Sequence, residues 1–538
     1  MPRSRTILLV VGFGLTAVGG YWLARSAAPA RAARVEVAAP AAPGTGAPDQ
    51  EIAFRHGERP EFRSDGDALK AGALPGQRAL VFKDRAALER FLAKAGGRIR
   101  ILGRIDSLNA LQVGFLNPDD LAGLLDGTEE PSMIYPAYVP NPKPGIIQNG
   151  VVAVGNKLLS VVGITTDNSN WGKGVLVAVL DTGVSPNSAF GGKVINSINL
   201  VPMPADLANW NGHGTAVASL IIGNDQLTPG VAPGADILSV RIADDLGQSD
   251  SMLIAKGIVT AVDAGAPIIS ISLGSSGDSP IVRSAIDYAN KAGVAIVASA
   301  GNEGMAQLAY PAGNTGVIAV GAVDANGTVM AFSNSGDTLA AAAPGYLVNA
   351  AWTGDQAVGF TGTSASAPIM AGAIAAAMSS GGSTLRSPGD AMNLVLANLN
   401  DVGAPGPDAA TGGGTVDVGR VMNAGTPGIY DAAVASNYII PPSAEVPYPQ
   451  LQVVIQNRGT EMLVNAGVLV TTAGGTVPLN ITTLMPDAIQ TFTLPLPSSS
   501  WNSTSPLTID SSVWLTGGRT DSNPTNNRRV ETYVPPAN

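Results

Sequence analysis

The chain of 538 residues contains no cysteine, which excludes disulfides, thiolate metal sites and cysteine nucleophiles. Histidine is almost as scarce. His56 and His213 are the only two, so any imidazole chemistry falls to one of them. Charged residues make up 13% of the chain, too few for a disordered or nucleic-acid-binding protein. The net charge of −10 disfavours phosphate backbones and anionic membrane surfaces as partners. What is present is apolar: 45% of residues are hydrophobic, ample for large cores, and the length suits several modules.

Arg3 and Arg5 precede an apolar run over residues 7–24 that Arg25 closes. The pattern is that of an export signal, either cleaved or kept as an anchor. The run is about long enough to span a bilayer, and Tyr21 and Trp22 suit an interface. Gly12, Gly14, Gly19 and Gly20 weaken it as a helix, and the small residues Ser26, Ala27 and Ala28 offer cleavage sites. Residues 1–28 are therefore assigned to export, and the Ala/Pro/Gly-rich stretch 29–76 to a linker. His56 lies in that polar linker and receives no catalytic role.

From residue 77 to 142 the pattern predicts strand, helix, strand, strand, helix, strand, the split ferredoxin-like order. Asp84 caps the first helix, whose Leu88, Phe91, Leu92 and Ala95 share a face before Gly96-Gly97 ends it. Asn117 caps the second, and a final strand is expected over 133–139. The tail 134–142 is Pro-rich and extended.

Residues 150–427 alternate apolar strands and helices. This predicts an α/β fold with a doubly wound, mostly parallel sheet. Functional groups in such sheets lie beyond the carboxyl ends of strands, where Asp181 and Asn302 fall. In Thr361-Gly-Thr-Ser364-Ala-Ser-Ala-Pro368, Ser364 stands at the start of a helix of small residues, where free N–H groups favour an oxyanion. Pro368 is tolerable there if it falls in the first turn. A serine nucleophile needs a base, and the base a carboxylate. His213, in Asn211-Gly-His-Gly-Thr, and Asp181, ending a run of aliphatic residues, supply both in the order Asp, His, Ser.

Those three motifs, in that order, resemble the subtilisin-like serine proteases. Val297-Ala-Ser-Ala-Gly-Asn302-Glu-Gly304 is similar to the family segment whose Asn completes the oxyanion hole. Gly230-Val-Ala-Pro-Gly234, Tyr310-Pro-Ala312, Phe332-Ser333 and Ala343-Pro-Gly345 add smaller matches. The resemblance implies a serine endopeptidase acting through an acyl-enzyme. Ser364 is then the nucleophile, His213 the base, Asp181 the orienting carboxylate and Asn302 an oxyanion donor. It also implies that Ser272, Leu273, Gly274, Ala300 and Gly301 bind substrate, with the edge Gly247-Gln-Ser249 facing it. The 77–142 module becomes a self-removed, inhibitory prodomain, cut between about Tyr138 and Leu159. Partners are protein or peptide substrates and the chain's own prodomain, with no nucleic acid. No cofactor is required for the chemistry. A structural calcium ion is not located, because the loop of residues 223–229 is short, and Asp244 and Asp245 read as solvated.

Ala216, Ser219 and Ser366 depart from the usual family residues without removing a catalytic function. Taken singly, Asp181 could be a turn residue, His213 a structural histidine, Ser364 a helix cap and Asn302 a turn asparagine. A catalytically silent scaffold on the same fold is the competing class. A lipase or esterase is disfavoured, since no Gly-x-Ser-x-Gly elbow surrounds Ser364. Residues 428–538 alternate as strands, with turns at Asn457-Arg-Gly459 and Asp521-Ser-Asn-Pro524, and resemble immunoglobulin-like β-sandwich modules. Surface or polymer attachment and plain stabilisation are both open for it.

Overall fold

The computed structural model describes residues 7–8, 65–139, 150–204, 210–382, 384–498 and 506–534. Most of the expected export segment and linker, through residue 64, lies outside the described residues. Ile7–Leu8 is a two-residue strand parallel to Gln356–Phe360. Among the described residues no helix is long and apolar enough to cross a membrane.

The first described unit is a four-stranded antiparallel sheet of β1 (Gln77–Phe82), β2 (Arg100–Ile105), β3 (Ala110–Gly114) and β4 (Glu129–Ser132), ordered β2-β3-β1-β4. Helix α1 (Arg85–Ala95) starts where Asp84 accepts from the Ala87 N–H at 2.7 Å and stops at Gly96, with φ 51°. It buries Leu88 and Phe91 against Leu80, Phe82 and Leu111. Helix α2 (Pro118–Ala122) adds Leu121 to the same core. The other sheet face puts Ala79, Ile105 and Ala110 into a cluster with Met252, Val259 and Ile286 of the next unit.

The strand expected over 133–139 is divided. Its sheet-pairing part lies earlier, at β4, whereas β5 (Pro136–Tyr138) pairs antiparallel with β9 (Gln248–Asp250) of the following unit. The extended stretch 129–138 satisfies its backbone on two different sheets, which period alone cannot reveal. Asp65–Lys70, inside the expected linker, is a short helix whose Ala68 is buried beside Met133 and Tyr135.

The central unit is a seven-stranded sheet in which every adjacent pair is parallel. Its strands are β6 (Leu176–Asp181), β7 (Asn196–Asn199), β8 (Asp236–Arg241), β10 (Ile268–Ile271), β11 (Ala295–Ser299), β12 (Val317–Val323) and β13 (Leu339–Pro344). Their order is β13-β12-β11-β10-β6-β8-β7. The period of two along β6 divides the core. Val177 and Val179 join one cluster with α3 (His213–Ile222) and α6 (Thr363–Ser379). Ala178 and Leu180 join the other with α4 (Ser251–Asp263) and α5 (Pro280–Lys291). Each fully buried Val, Leu or Ile contributes about 1.5–3 kcal/mol. A hairpin of β14 (Val348–Trp352) and β15 (Gln356–Phe360) precedes α6.

Helix α6 is buried on every side from Thr363 to Met378, which explains its Ala- and Gly-rich sequence: neighbouring backbone approaches all round. Pro368 falls in its second turn, not the first. The N–H that Pro lacks would have bonded the Ser364 carbonyl, and the Ser272 hydroxyl donates to that carbonyl instead, at 3.1 Å.

After α7 (Pro388–Ala397) and α8 (Val418–Asn423), the chain forms a three-stranded and a four-stranded antiparallel sheet. Strands Ala432–Ile440, Gln450–Asn457 and Ile489–Pro495 make the first. Strands Leu463–Thr472, Gly475–Leu484, Leu507–Trp514 and Arg528–Tyr533 make the second. One apolar cluster takes Val434 and Val453 from one sheet and Val468 and Ile509 from the other.

The seam between this region and the central unit is polar and largely buried. Arg420 of α8 donates to the Asn398 and Leu399 carbonyls, at 3.2 and 2.7 Å, and pairs with Asp487. Arg458 donates to Gln456 and to the Asp401 carbonyl. Burial pushes the Asp401 carboxyl up to about 7, against the opposing pull of the Gly406 N–H and Arg458. Burial also pushes Asp431 up to about 6.

Candidate active site

Asp181 ends β6 and is fully buried. Its Oδ1 accepts from the Thr182 N–H at 2.7 Å, and both oxygens lie on His213 Nδ1, at 2.9 and 3.0 Å. A carboxylate so placed holds the ring with its Nδ1 protonated and leaves Nε2 as the basic nitrogen. His213 opens α3, with its own N–H donating to Asn211 Oδ1 at 3.0 Å and Phe360 edge-on to the ring at 5.0 Å. The glycine after it has a steric reason: a Cβ on Gly214 would stand 2.3 Å from the Gly183 carbonyl oxygen. Only glycine lets α3 come that close to the end of β6.

Ser364 lies in the first turn of α6 and is 1% exposed. Its Oγ donates to the Ser272 carbonyl at 3.3 Å, while His213 Nε2 has no hydrogen-bond partner among the described residues. The Ser–His bond of a working triad is thus not made in this conformation. Such bonds are often long or absent without substrate, and a serine hydroxyl reorients by one χ1 rotation. Ser272 and Ser364 hold one another reciprocally, each hydroxyl donating to the other's carbonyl.

Asn302 follows β11 and is fully buried. Its Oδ1 accepts from both the N–H and the Oγ1 of Thr363, each at 2.9 Å. With the oxygen so engaged, the Nδ2 end turns toward Gly362, where a Cβ would stand 2.9 Å away. Gly362, at φ 138°, satisfies both the backbone and that approach. The side-chain amide and the start of α6 therefore converge beside Ser364.

The sequence-selected substrate segments are brought together in part. Gly274 exchanges two backbone hydrogen bonds with Tyr138, at 2.8 and 2.9 Å, and the Gly247 carbonyl accepts from Val139 at 3.0 Å. Segment 136–139 therefore runs as a middle strand between the two edges. Leu273 is wholly buried beneath it. Ala300 is committed elsewhere, since its N–H bonds Val320 and its carbonyl accepts from Ala309; the Gly301 N–H donates to Thr363 Oγ1.

Comparison with known proteins gives the family. The subtilase family model matches residues 172–414. A thermostable alkaline protease of Halalkalibacterium halodurans is 35% identical over 253 residues, 46% of this chain and 68% of that one. Thermitase of Thermoactinomyces vulgaris is 36% identical over 205 residues, 37% of this chain and 74% of that one. The chain belongs to the subtilase family. Among solved structures, the patellamide maturation protease PatA is 31% identical, with a TM-score of 0.42, over 47% of this chain and 97% of that one.

This subtilase is a subtilisin-like serine endopeptidase, and its site holds residues that motif reading passed over. Asp245 is not a solvated carboxylate: it pairs with the fully buried Arg241 at 3.1 Å and accepts from the Asn211 N–H at 3.3 Å, bracing the loop before His213. Asn334 clamps the Asn302 loop, accepting from the Glu303 and Met305 N–H groups at 3.0 Å each and donating to Glu303 at 2.8 Å. It directly follows the Phe332-Ser333 match, which was its only signal in sequence. Ser219 accepts from the Ala351 N–H of β14 at 2.9 Å. Among the described residues no group of three or more His, Asp or Glu side chains is placed to hold a metal ion.

Proposed function

We propose that this subtilase hydrolyses peptide bonds with Asp181, His213 and Ser364 as its triad, as an exported, self-processed zymogen. The observation that carries the reading is the bidentate Asp181–His213 contact beside a buried Ser364 at the head of α6. His213 takes the Ser364 proton as Oγ attacks the scissile carbonyl, and later delivers it to the leaving amine. Asn302 Nδ2 and the Ser364 N–H stabilise the oxyanion, and Asp181 stabilises the imidazolium. Ser272 to Gly274 and the 247–250 edge take up substrate as an added strand.

The ferredoxin-like module acts as an inhibitory prodomain. Its support is the segment 136–139, which fills the strand-binding slot. Cleavage falls within residues 140–149, since residues on the amino side bind the slot and Val152 and Val154 bond into the central unit. The carboxyl-terminal module acts as a β-sandwich, supported by the cluster its two sheets share. Its buried polar seam at Arg420 favours a stabilising role over a tethered adhesive one.

The test compares intact mass and amino-terminal sequence of purified wild type with Ser364→Ala. Wild type is expected to lose the segment before about residue 150 and the variant to keep it. Both chains full length with casein still hydrolysed by wild type would remove the self-processing claim. Both full length and inert would favour a silent scaffold.

A further inference from the structure

The segment in the substrate slot is held farther upstream than the slot itself. The Tyr135 N–H donates to Ser251 Oγ at 3.1 Å, and the Ser251 N–H donates to the Tyr135 carbonyl at 2.9 Å. Ser251 is 1% exposed and opens α4, so it belongs to the central unit. The ring of Tyr135 lies flat over Gly277 of the same unit. A Cβ built on Gly277 would stand 2.2 Å from Cδ1 and 2.4 Å from Cε1 of that ring. Gly277 does not have a positive φ, so its backbone makes no demand for glycine. The ring does. The Gly277 turn is also fixed by Ser275, whose Oγ accepts from the Gly277 N–H and donates to the Gly277 carbonyl, at 3.0 and 3.1 Å.

Register relates this shelf to the reaction. Tyr138 pairs with Gly274, so in an antiparallel ladder the substrate residue two positions on pairs with Ser272. The Ser272 carbonyl is 3.3 Å from Ser364 Oγ, so that residue carries the carbonyl under attack. Counting back, the residue in the place of Tyr138 is third before the cleaved bond and that in the place of Tyr135 is sixth.

We infer that Gly277 and Ser251 form a distal substrate subsite that selects extended polypeptides with an aromatic side chain six residues before the cleaved bond. The inference rests on the endopeptidase reading above and names part of its substrate class. Ser251 supplies two backbone-directed hydrogen bonds, and Gly277 supplies a flat floor for a ring. In the uncut chain, Ala68 and Ala73 of the amino-terminal module share a buried cluster with Tyr135. A substrate brings no such cover, so only part of the ring's burial is available to it.

The experiment uses the wild-type chain as purified and two quenched fluorescent peptides. They differ only in Tyr or Ala at the sixth residue before the cleaved bond. The Tyr peptide is expected to have a kcat/KM about 5- to 10-fold higher, from the partial burial of one ring. In Gly277→Ala, whose methyl group occupies the floor, that ratio falls to about 1, whereas it persists in wild type. A wild-type ratio within about 2-fold overturns the subsite, whether or not the variant folds. Hydrolysis of casein without discrimination between the peptides overturns the subsite alone. No hydrolysis of casein or of either peptide overturns the endopeptidase reading, and the subsite with it.

Discussion

At the scale of single residues, the site depends on how polar ends are turned. Asn302 presents its amide nitrogen because Thr363 occupies its oxygen with two donors. Asn302→Ala is expected to lower kcat by about 10²- to 10³-fold with little change in KM, the range for removing one such donor in subtilisins. Steady-state kinetics on a peptide substrate check it. Asn334 touches no reacting atom, yet it holds three points of the 301–305 loop: the Gly301 carbonyl and the Glu303 and Met305 N–H groups. It is a positioning residue. Asn334→Ala is expected to lower kcat about 10-fold or more in wild type and to add little on top of Asn302→Ala. A full multiplicative loss in the double variant would make Asn334 merely structural. The candidates Asp181, His213, Ser364 and Asn302 could be named from sequence because chemistry restricts which side chains serve, and Gly274 because its segment resembles the family's. Asn334 and Arg241 were not, because a supporting hydrogen bond can come from many residue types at many chain positions.

At the scale of elements, two close approaches set the geometry. Helix α3 reaches Asp181 only because residue 214 lacks a Cβ. Gly214→Ala places a methyl group against the Gly183 carbonyl backbone, which cannot yield as a side chain would. A destabilisation of about 1–3 kcal/mol with loss of most activity is expected, checked by denaturant unfolding in the Ser364→Ala background and by peptide hydrolysis. Helix α6 was legible from its small residues and its position. The place of Pro368 was not, since the cost of an interior proline depends on whether another donor reaches the freed carbonyl. Here Ser272, from a distant loop, does so. The strand expected over 133–139 failed for a related reason. Alternation of side chains shows that a segment is extended but not which edge completes its hydrogen bonds.

At the scale of the whole molecule, the buried seam at Arg420 couples the carboxyl-terminal region to the central unit. Removing one partner of a buried ionic network leaves the others uncompensated, so Arg420→Ala is expected to cost about 3–5 kcal/mol, read from unfolding of the Ser364→Ala chain. The seam also has a pH signature. Asp401 and Asp431 have carboxyl groups raised by burial, to about 7 and about 6. The folded state therefore binds more protons than the unfolded state between the ordinary carboxylate range, about 4, and those values. Stability contributed by these groups is present at low pH and is lost as pH rises toward 7. The Tm of the Ser364→Ala chain is expected to be higher at pH 5 than at pH 8 as far as these two groups decide it, and Asp401→Asn should flatten the slope. An unchanged slope in that variant would remove Asp401 from the account.

The sequence by itself determined the family, its serine-endopeptidase class and the parallel α/β core. Nucleophile, base and carboxylate are restricted to a few residue types, and hydrophobic period is a local property. Only the tertiary structure decided where the 133–139 segment pairs, what relieves Pro368, and why Gly277 lacks a side chain. Each is a contact between segments far apart in the chain, and a one-dimensional pattern does not contain such distances.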